Sequence, residues 1–292
     1  MHINAGRPIS PPTSVASNPV GLSSAVDRDW YNEFYSAQQK GSLILNSEVV
    51  RRYNELRHPR LFPLERWFEI LGEVSGKRIL YLACGLDSSA ILLAMKGAEM
   101  WVLDIAREAL CVQMQMAEAN GVGERVHPVV ATCEQIPFPD RWFDRVVGRG
   151  ILHHLQSDLE TPSGEMMRVL APGGFGVFSE PIAQSPLLSR LRKHVPVPVP
   201  ASVSPRCYPL TPKSMSTLQR EFRVEADFFR CFGRATRLIL RDTPLKTAAW
   251  KRFIVFALHR MDRTLLSLPN AQYLAGGVVL KLLAKAPAEE MS

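Results

Sequence analysis

The sequence has no run of the ~20 uninterrupted apolar residues that a membrane-spanning helix needs. Phe253–Leu258 is too short, and Lys281 interrupts the apolar stretch near the C-terminus. Cysteine is sparse: Cys84, Cys111, Cys133, Cys207 and Cys231 form no C-x-x-C pair and no His/Cys cluster with zinc-ligand spacing. No metal site is therefore expected. An odd cysteine count in a chain of this size points to reduced thiols and a cytoplasmic protein. The first twenty residues lack the apolar core of a secretory signal. There is no internal repeat, no Asn/Asp-Pro-Pro-Tyr/Phe base-methylation motif and no separate RNA-binding module. Those absences weigh against nucleic acid as a partner.

What is present is unevenly charged. Residues 61–182 hold 10 Lys/Arg and 16 Asp/Glu, net −6, and residues 183–260 hold 15 Lys/Arg and 4 Asp/Glu, net +11. A basic region can attract an acidic substrate, nucleic acid or anionic lipid, or it can simply be a solvated helical face. Residues 1–26 are rich in Pro, Ser and Asn and read as a disordered tail. Residues 27–72 read as a helical cover carrying Trp30, Tyr31, Phe34, Tyr35, Tyr53, Trp67 and Phe68.

From Lys77 the rhythm changes. Buried strands are expected at Arg78–Ala83, Met100–Leu103, Val126–Val130, Asp144–Val147 and from Gly176–Ser179 onward. Helices are expected over Ser88–Lys96, 106–120 and 158–170, with a tight turn at Pro172-Gly173-Gly174. Alternating strands and helices imply right-handed crossovers and a parallel sheet covered on both faces. Residues 181–215, with VPVPVP at 195–200, read as a lid-like insertion. A helix and strand follow over 216–240, a basic amphipathic helix over 245–268, a last strand over Tyr273–Ala284, and a tail from 286.

In an open α/β sheet, ligands bind beyond the carboxyl ends of the strands. Ala83-Cys84-Gly85-Leu86-Asp87 follows the first strand, and such small residues let a ligand approach the backbone. Asp104 closes the second strand, where a carboxylate can take both hydroxyls of a ribose. Thr132-Cys133-Glu134 and Gly148-Arg149-Gly150 follow the third and fourth.

Three ordered runs carry a resemblance: KRILYLACGLDSSAILLAMKGAEMWVLDIA, EQIPFPDRWFDRVVGRGILHHL and EMMRVLAPGGFGVFSEP. Together they resemble class I S-adenosylmethionine-dependent methyltransferases of the small-molecule type. The resemblance implies a Rossmann-like, seven-stranded, mostly parallel sheet over 73–285, with S-adenosylmethionine as cofactor. It also implies roles for individual residues. Ala83 and Gly85 would line the methionine end, Asp104 would hold the ribose, and Ile105 would lie beside adenine. Thr132 and Cys133 would meet the adenine edge, and Gly148 and Arg149 would flank the methionine.

The chain departs from the family pattern of one acid and three alternating glycines, because those positions read Tyr81, Ala83, Gly85 and Asp87. Asp87 is expected to compensate by meeting the cofactor's ammonium, and an acid restored at 81 is expected to tighten binding. His153 and His154 are candidate bases, with a structural role as the alternative. Tyr31, Tyr35, Tyr53, Glu180 and Arg206 are candidates for the substrate pocket, against packing or ion pairing.

The expected reaction is methyl transfer to an O, N or C atom of a small-molecule acceptor of secondary-metabolite or lipophilic type. A non-catalytic binding protein is the first alternative and a nucleic-acid methyltransferase the second. The basic helix leaves room for weak association with a membrane surface.

Overall fold

The computed structural model describes residues 22–37, 42–185, 190, 208–231 and 249–285. Its centre is a seven-stranded sheet of order β3-β2-β1-β4-β5-β7-β6. The first five strands are β1 (Arg78–Leu82), β2 (Glu99–Asp104), β3 (Val126–Val130), β4 (Phe143–Arg149) and β5 (Leu170–Pro181), and all are parallel. β7 (Gly277–Ala284) runs antiparallel between β5 and β6 (Phe222–Phe229).

Strand alternation divides the core into two layers. In β1, Ile79 and Tyr81 enter the cluster formed with α3 (Pro63–Leu71), α4 (Ser89–Met95) and α5 (Arg107–Ala119). Leu80 and Leu82 enter the opposite cluster, with α6 (Glu160–Val169) and α7 (Pro212–Glu221). A period of two therefore places Tyr81 and Leu82 on different faces of one strand. Trp67 of α3 is fully buried, and its Nε1 donates to the Val177 carbonyl at 3.1 Å, pinning the helical cover to β5. The cover also includes α1 (Leu22–Ala37) and α2 (Ser47–Asn54).

Several expected boundaries move. α1 begins at Leu22, inside the stretch read as a tail. β5 begins at Leu170, so Pro172-Gly173-Gly174 lies within its span. The register steps from Phe143↔Leu170 to Arg145↔Phe175, so the turn is a bulge looped out of one strand, with Gly173 at φ +75°. The 181–215 insertion ends earlier than expected, because α7 starts at Pro212. Thr211 caps that helix, exchanging hydrogen bonds with Ser214, and proline occupies its first turn. The last strand is shorter than expected, because Ala271–Leu274 is a 3-10 turn.

The insertion leaves and re-enters the fold at one point. The Ala183 amide donates to the Leu210 carbonyl, and the Leu210 amide donates to Pro181, both at 2.9 Å. Gln156, in the loop after β4, fastens the returning strand through Tyr208 and Pro209 carbonyls and accepts from Ser214 Oγ. Arg206 and most of the insertion lie outside the described residues. The basic helix α8 spans Ala249–Leu266.

Candidate active site

The carboxyl ends of β1, β2 and β4 converge on the loop after β1. Ala83 (φ +47°) and Gly85 (φ +48°) both adopt left-handed backbone there. A glycine takes this conformation freely, whereas an alanine is strained in it by about 1–2 kcal/mol. The loop thus keeps the geometry of a glycine motif while one of its glycines is absent. Buried Gln113 of α5 fastens it, with Nε2 donating to the carbonyls of Gly85 and Asp87, each at 2.9 Å.

Asp104 ends β2 and is buried. Its Oδ2 accepts from the Gly85 amide and its Oδ1 from the Ala106 amide, both at 2.9 Å. Among the described residues no cation pairs with it. Burial therefore lifts its pKa to about 6, against the lowering effect of the backbone donors. Each carboxylate oxygen keeps a second lone pair. A buried anion with spare acceptor capacity and no countercharge gains from a neutral diol. The donor set therefore fits the ribose hydroxyls of an adenosyl cofactor.

Asp87 forms a second knot. Its Oδ2 accepts from Tyr81 Oη at 3.1 Å and from Arg149 at 2.5 Å, and its Oδ1 accepts from the Ser89 amide at 2.8 Å. Arg149 also donates to Ser89 Oγ at 3.0 Å. Asp87, expected to meet a ligand's ammonium, is already engaged here. Its charge is neutralised by Arg149, and its oxygens accept from the first amide of α4 and from a buried phenol. Arg149, expected to flank the methionine, is likewise engaged. Tyr81 is fully buried, 6.2 Å from the Trp67 ring between centroids, and burial raises its phenol pKa. Restoring an acid at 81 would therefore leave a void and set one carboxylate beside another.

The third cluster joins β4 to β5. Glu180, 2% exposed, accepts from the Ile151 and Leu152 amides at 2.9 and 3.0 Å through Oε1. Its Oε2 lies 2.8 Å from His153 Nδ1. The carboxylate can only accept, so Nδ1 carries the proton and the lone pair of a neutral His153 resides on Nε2. This is the arrangement a general base needs, and it places Glu180 behind His153 rather than in the substrate pocket. His154 packs 4.2 Å from His153, and Tyr31 Oη lies 3.4 Å from its Nδ1. Burial, then His153, pushes the His154 pKa down to about 4, so it is neutral at pH 7.

α1 closes over these groups. Its aromatics form two stacks at helical spacing: Trp30 on Phe34 at 5.4 Å, and Tyr31 on Tyr35 at 5.8 Å. Tyr35 is buried against Ala106 and Ala109, and its hydroxyl would be only 2.7 Å from a Cβ added at Gly85. Two expected pocket residues, Tyr31 and Tyr35, thus stand at the site. Tyr53 stacks on Phe68 at 5.0 Å and joins the core, feeling the charges of Arg149 and Asp87 from its rim.

Other expected cofactor residues have structural tasks. A Cβ on Gly148 would sit 2.7 Å from Ile151 and 3.0 Å from Phe178, so this glycine makes room for core packing. Cys133 is buried in the core, and burial raises its thiol pKa. Thr132 bridges to Gln135, and Ile105 is half-buried beside Asp104. Sequence reasoning missed Gln113, because a helical glutamine gives no signal until the loop it holds is placed beside it.

With this geometry in hand, the sequence profile of the methyltransferase domain family matches residues 79–174. The Thermus thermophilus demethylmenaquinone methyltransferase is 36% identical over 136 residues, covering 44% of this chain and 60% of that protein. A Geobacter sulfurreducens ubiquinone/menaquinone biosynthesis C-methyltransferase is 27% identical, covering 50% and 60%. The chain thus spans less than two thirds of the length of these curated relatives. The solved geranyl diphosphate C-methyltransferase of Streptomyces coelicolor shares the fold, with TM-score 0.57 at 10% identity over 92% of this chain and all of that one. Residues 79–174 thus match the methyltransferase domain family, and the fold is shared with a solved methyltransferase.

Proposed function

We propose that the protein transfers a methyl group from S-adenosylmethionine to a nucleophilic O, N or C atom of a small-molecule acceptor. The observation that carries this reading is buried Asp104, an anion with no cation partner among the described residues, hydrogen-bonded to the left-handed Gly85 loop. When bound, the cofactor supplies a sulfonium-activated methyl group. The protein's part is to position the acceptor and exclude water. Asp104 would hold the ribose hydroxyls, with Ile105, Thr132 and Cys133 around the adenine. Ala83 and Gly85 would border the methionine portion. His153, oriented by Glu180, would take the proton that the acceptor atom sheds. Tyr31 and Tyr35 would cover the acceptor side.

The curated relatives named for demethylmenaquinone and ubiquinone/menaquinone support a ring-bearing, lipophilic acceptor and a carbon nucleophile. Isothermal titration with S-adenosylmethionine and S-adenosylhomocysteine tests the reading. Binding of both is expected, and absence of either signal up to millimolar ligand sinks it in favour of a non-catalytic protein. Salt-sensitive RNA or DNA binding by the same sample would move the acceptor to nucleic acid.

A further inference from the structure

α8 is built inside out. Val255, His259 and Asp262 are buried against the body of the protein, while Trp250, Phe253 and Met261 are 60%, 73% and 54% exposed. At 3.6 residues per turn, Trp250, Phe253, Ile254 and Met261 fall on one outward stripe, and Leu268, 56% exposed, continues it past the helix end. A helix that faces only water carries its polar residues on that side. The inward face is fixed by Phe62 against His259 at 4.8 Å and by His58 against Phe256 at 5.2 Å. The inversion is therefore a packed arrangement.

The charges around the stripe have one sign. The helix's only acid, Asp262, is buried, whereas Arg252 and Arg260 are exposed and Lys251 and Arg263 are half-buried. Residues 230–263 hold nine Lys/Arg against Asp242 and Asp262. At about 100° per residue, Lys251 and Arg260 border the stripe, whereas Arg252 and Arg263 fall on the far side of the helix. An apolar stripe so bordered complements an apolar layer topped by anions, which describes an acidic membrane surface. No helix among the described residues is long and apolar enough to cross a membrane, so such contact would be interfacial.

The fold hangs this helix beside the site. β6 runs parallel to β4 and β5, since both β5 and β6 pair antiparallel with β7. Its carboxyl end therefore shares the sheet edge with Arg149 and Glu180. α8 connects that end to Gly277, which pairs with both Phe229 and Pro181.

We propose that α8 docks the protein on anionic membrane surfaces, with Trp250, Phe253 and Met261 at the headgroup–acyl boundary and Lys251 and Arg260 on acidic headgroups. The acceptor is then a membrane-resident amphiphile taken from that surface, a consequence that rests on the methyl-transfer reading above.

Full-length protein is sedimented with phosphatidylcholine vesicles, with or without phosphatidylglycerol. It is expected to pellet with the acidic vesicles and to be released by salt. Each cation near an acidic surface is worth roughly five-fold in partition, so Arg260→Gln should lower it roughly five-fold. Trp250→Ser with Phe253→Ser should abolish it. Both variants should keep the wild-type melting temperature and S-adenosylhomocysteine affinity, since the changed side chains are exposed. Wild type left in the supernatant, or variants that pellet as wild type does, overturns the proposal. So does a wild-type dimer that Trp250→Ser with Phe253→Ser dissolves while vesicles stay bare, because a second copy then owns the stripe. Vesicle binding without S-adenosylhomocysteine binding upholds the docking surface and sinks only the catalytic reading.

Discussion

Removing the Asp87 carboxylate tests whether the altered loop is held by its own side chains or by ligand. In Asp87→Ala three partners lose their acceptor. The Ser89 amide loses its acceptor, a hydrogen bond worth about 1 kcal/mol. Tyr81 Oη, on a fully buried ring, is left without its acceptor, at about 1–3 kcal/mol. The Arg149 pair, with side chains 29% and 21% exposed, adds about 1 kcal/mol after allowing for solvent. The sum is about 3–5 kcal/mol, a fall in melting temperature of roughly 10 °C for a chain of this size. Tyr81→Phe alone should cost about 1 kcal/mol, since the carboxylate keeps its other two partners. In the double variant no stranded hydroxyl remains, so the effects should fall short of additivity by about 1–2 kcal/mol. Differential scanning calorimetry of the four proteins gives the cycle, and titration with S-adenosylhomocysteine below the lowered transition gives the affinity. An unchanged melting temperature with affinity down tenfold or more would refute the argument, because the carboxylate would then serve the ligand.

Tyr81→Asp should destabilise by several kcal/mol, through the void left by the ring and a second carboxylate beside Asp87, read as a lowered melting temperature. Asp104, with its pKa raised to about 6, binds its proton more tightly folded than unfolded, so its contribution to stability falls as pH rises from about 4 to about 6. Cofactor binding needs the carboxylate, so S-adenosylhomocysteine affinity should rise through the same window, and Asp104→Asn should flatten that rise. His154 and His259, with pKa values lowered from 6.5 to about 4, act the other way, since the unfolded chain takes up their protons first. Replacing both by Gln should reduce acid destabilisation between pH 6.5 and 4 in urea titrations. Glu180→Gln should lower kcat at least tenfold and shift the acidic limb of its pH profile to lower pH, with S-adenosylhomocysteine affinity held within about twofold.

The sheet from Arg78 to Arg149 was legible in the sequence because parallel strands buried on both faces read as continuous apolar runs. Asp104 was legible for the same reason, since the run in front of it fixes its place at a strand end. The partners of Asp87 were not. Arg149 lies 62 positions away in the chain, and only the β1–β4 register brings them together. Glu180 and His153 are separated in the same way by 27 positions. Pro172-Gly173-Gly174 gave a correct turn signal, but a bulge within a strand and a turn before one use the same residues. α8 read as an amphipathic basic helix, yet periodicity does not say which face turns inward. There, His259 and Asp262 point to the core while Trp250 and Phe253 point out.

The contact between Tyr35 and Gly85 sets a timing for the molecule. A cofactor reaching the bare backbone of Gly85 and the hydroxyl of Tyr35 claim adjoining space. α1 is a 16-residue helix, and helices of that length are marginal in water without tertiary packing. On the proposed binding mode, entry and departure of the cofactor would require the Tyr35 hydroxyl to move off Gly85, a motion separate from the chemistry. Turnover in this protein would be paced by how often one tyrosine lets go of one glycine, and stiffening that helix would slow exchange even as it stabilised the fold.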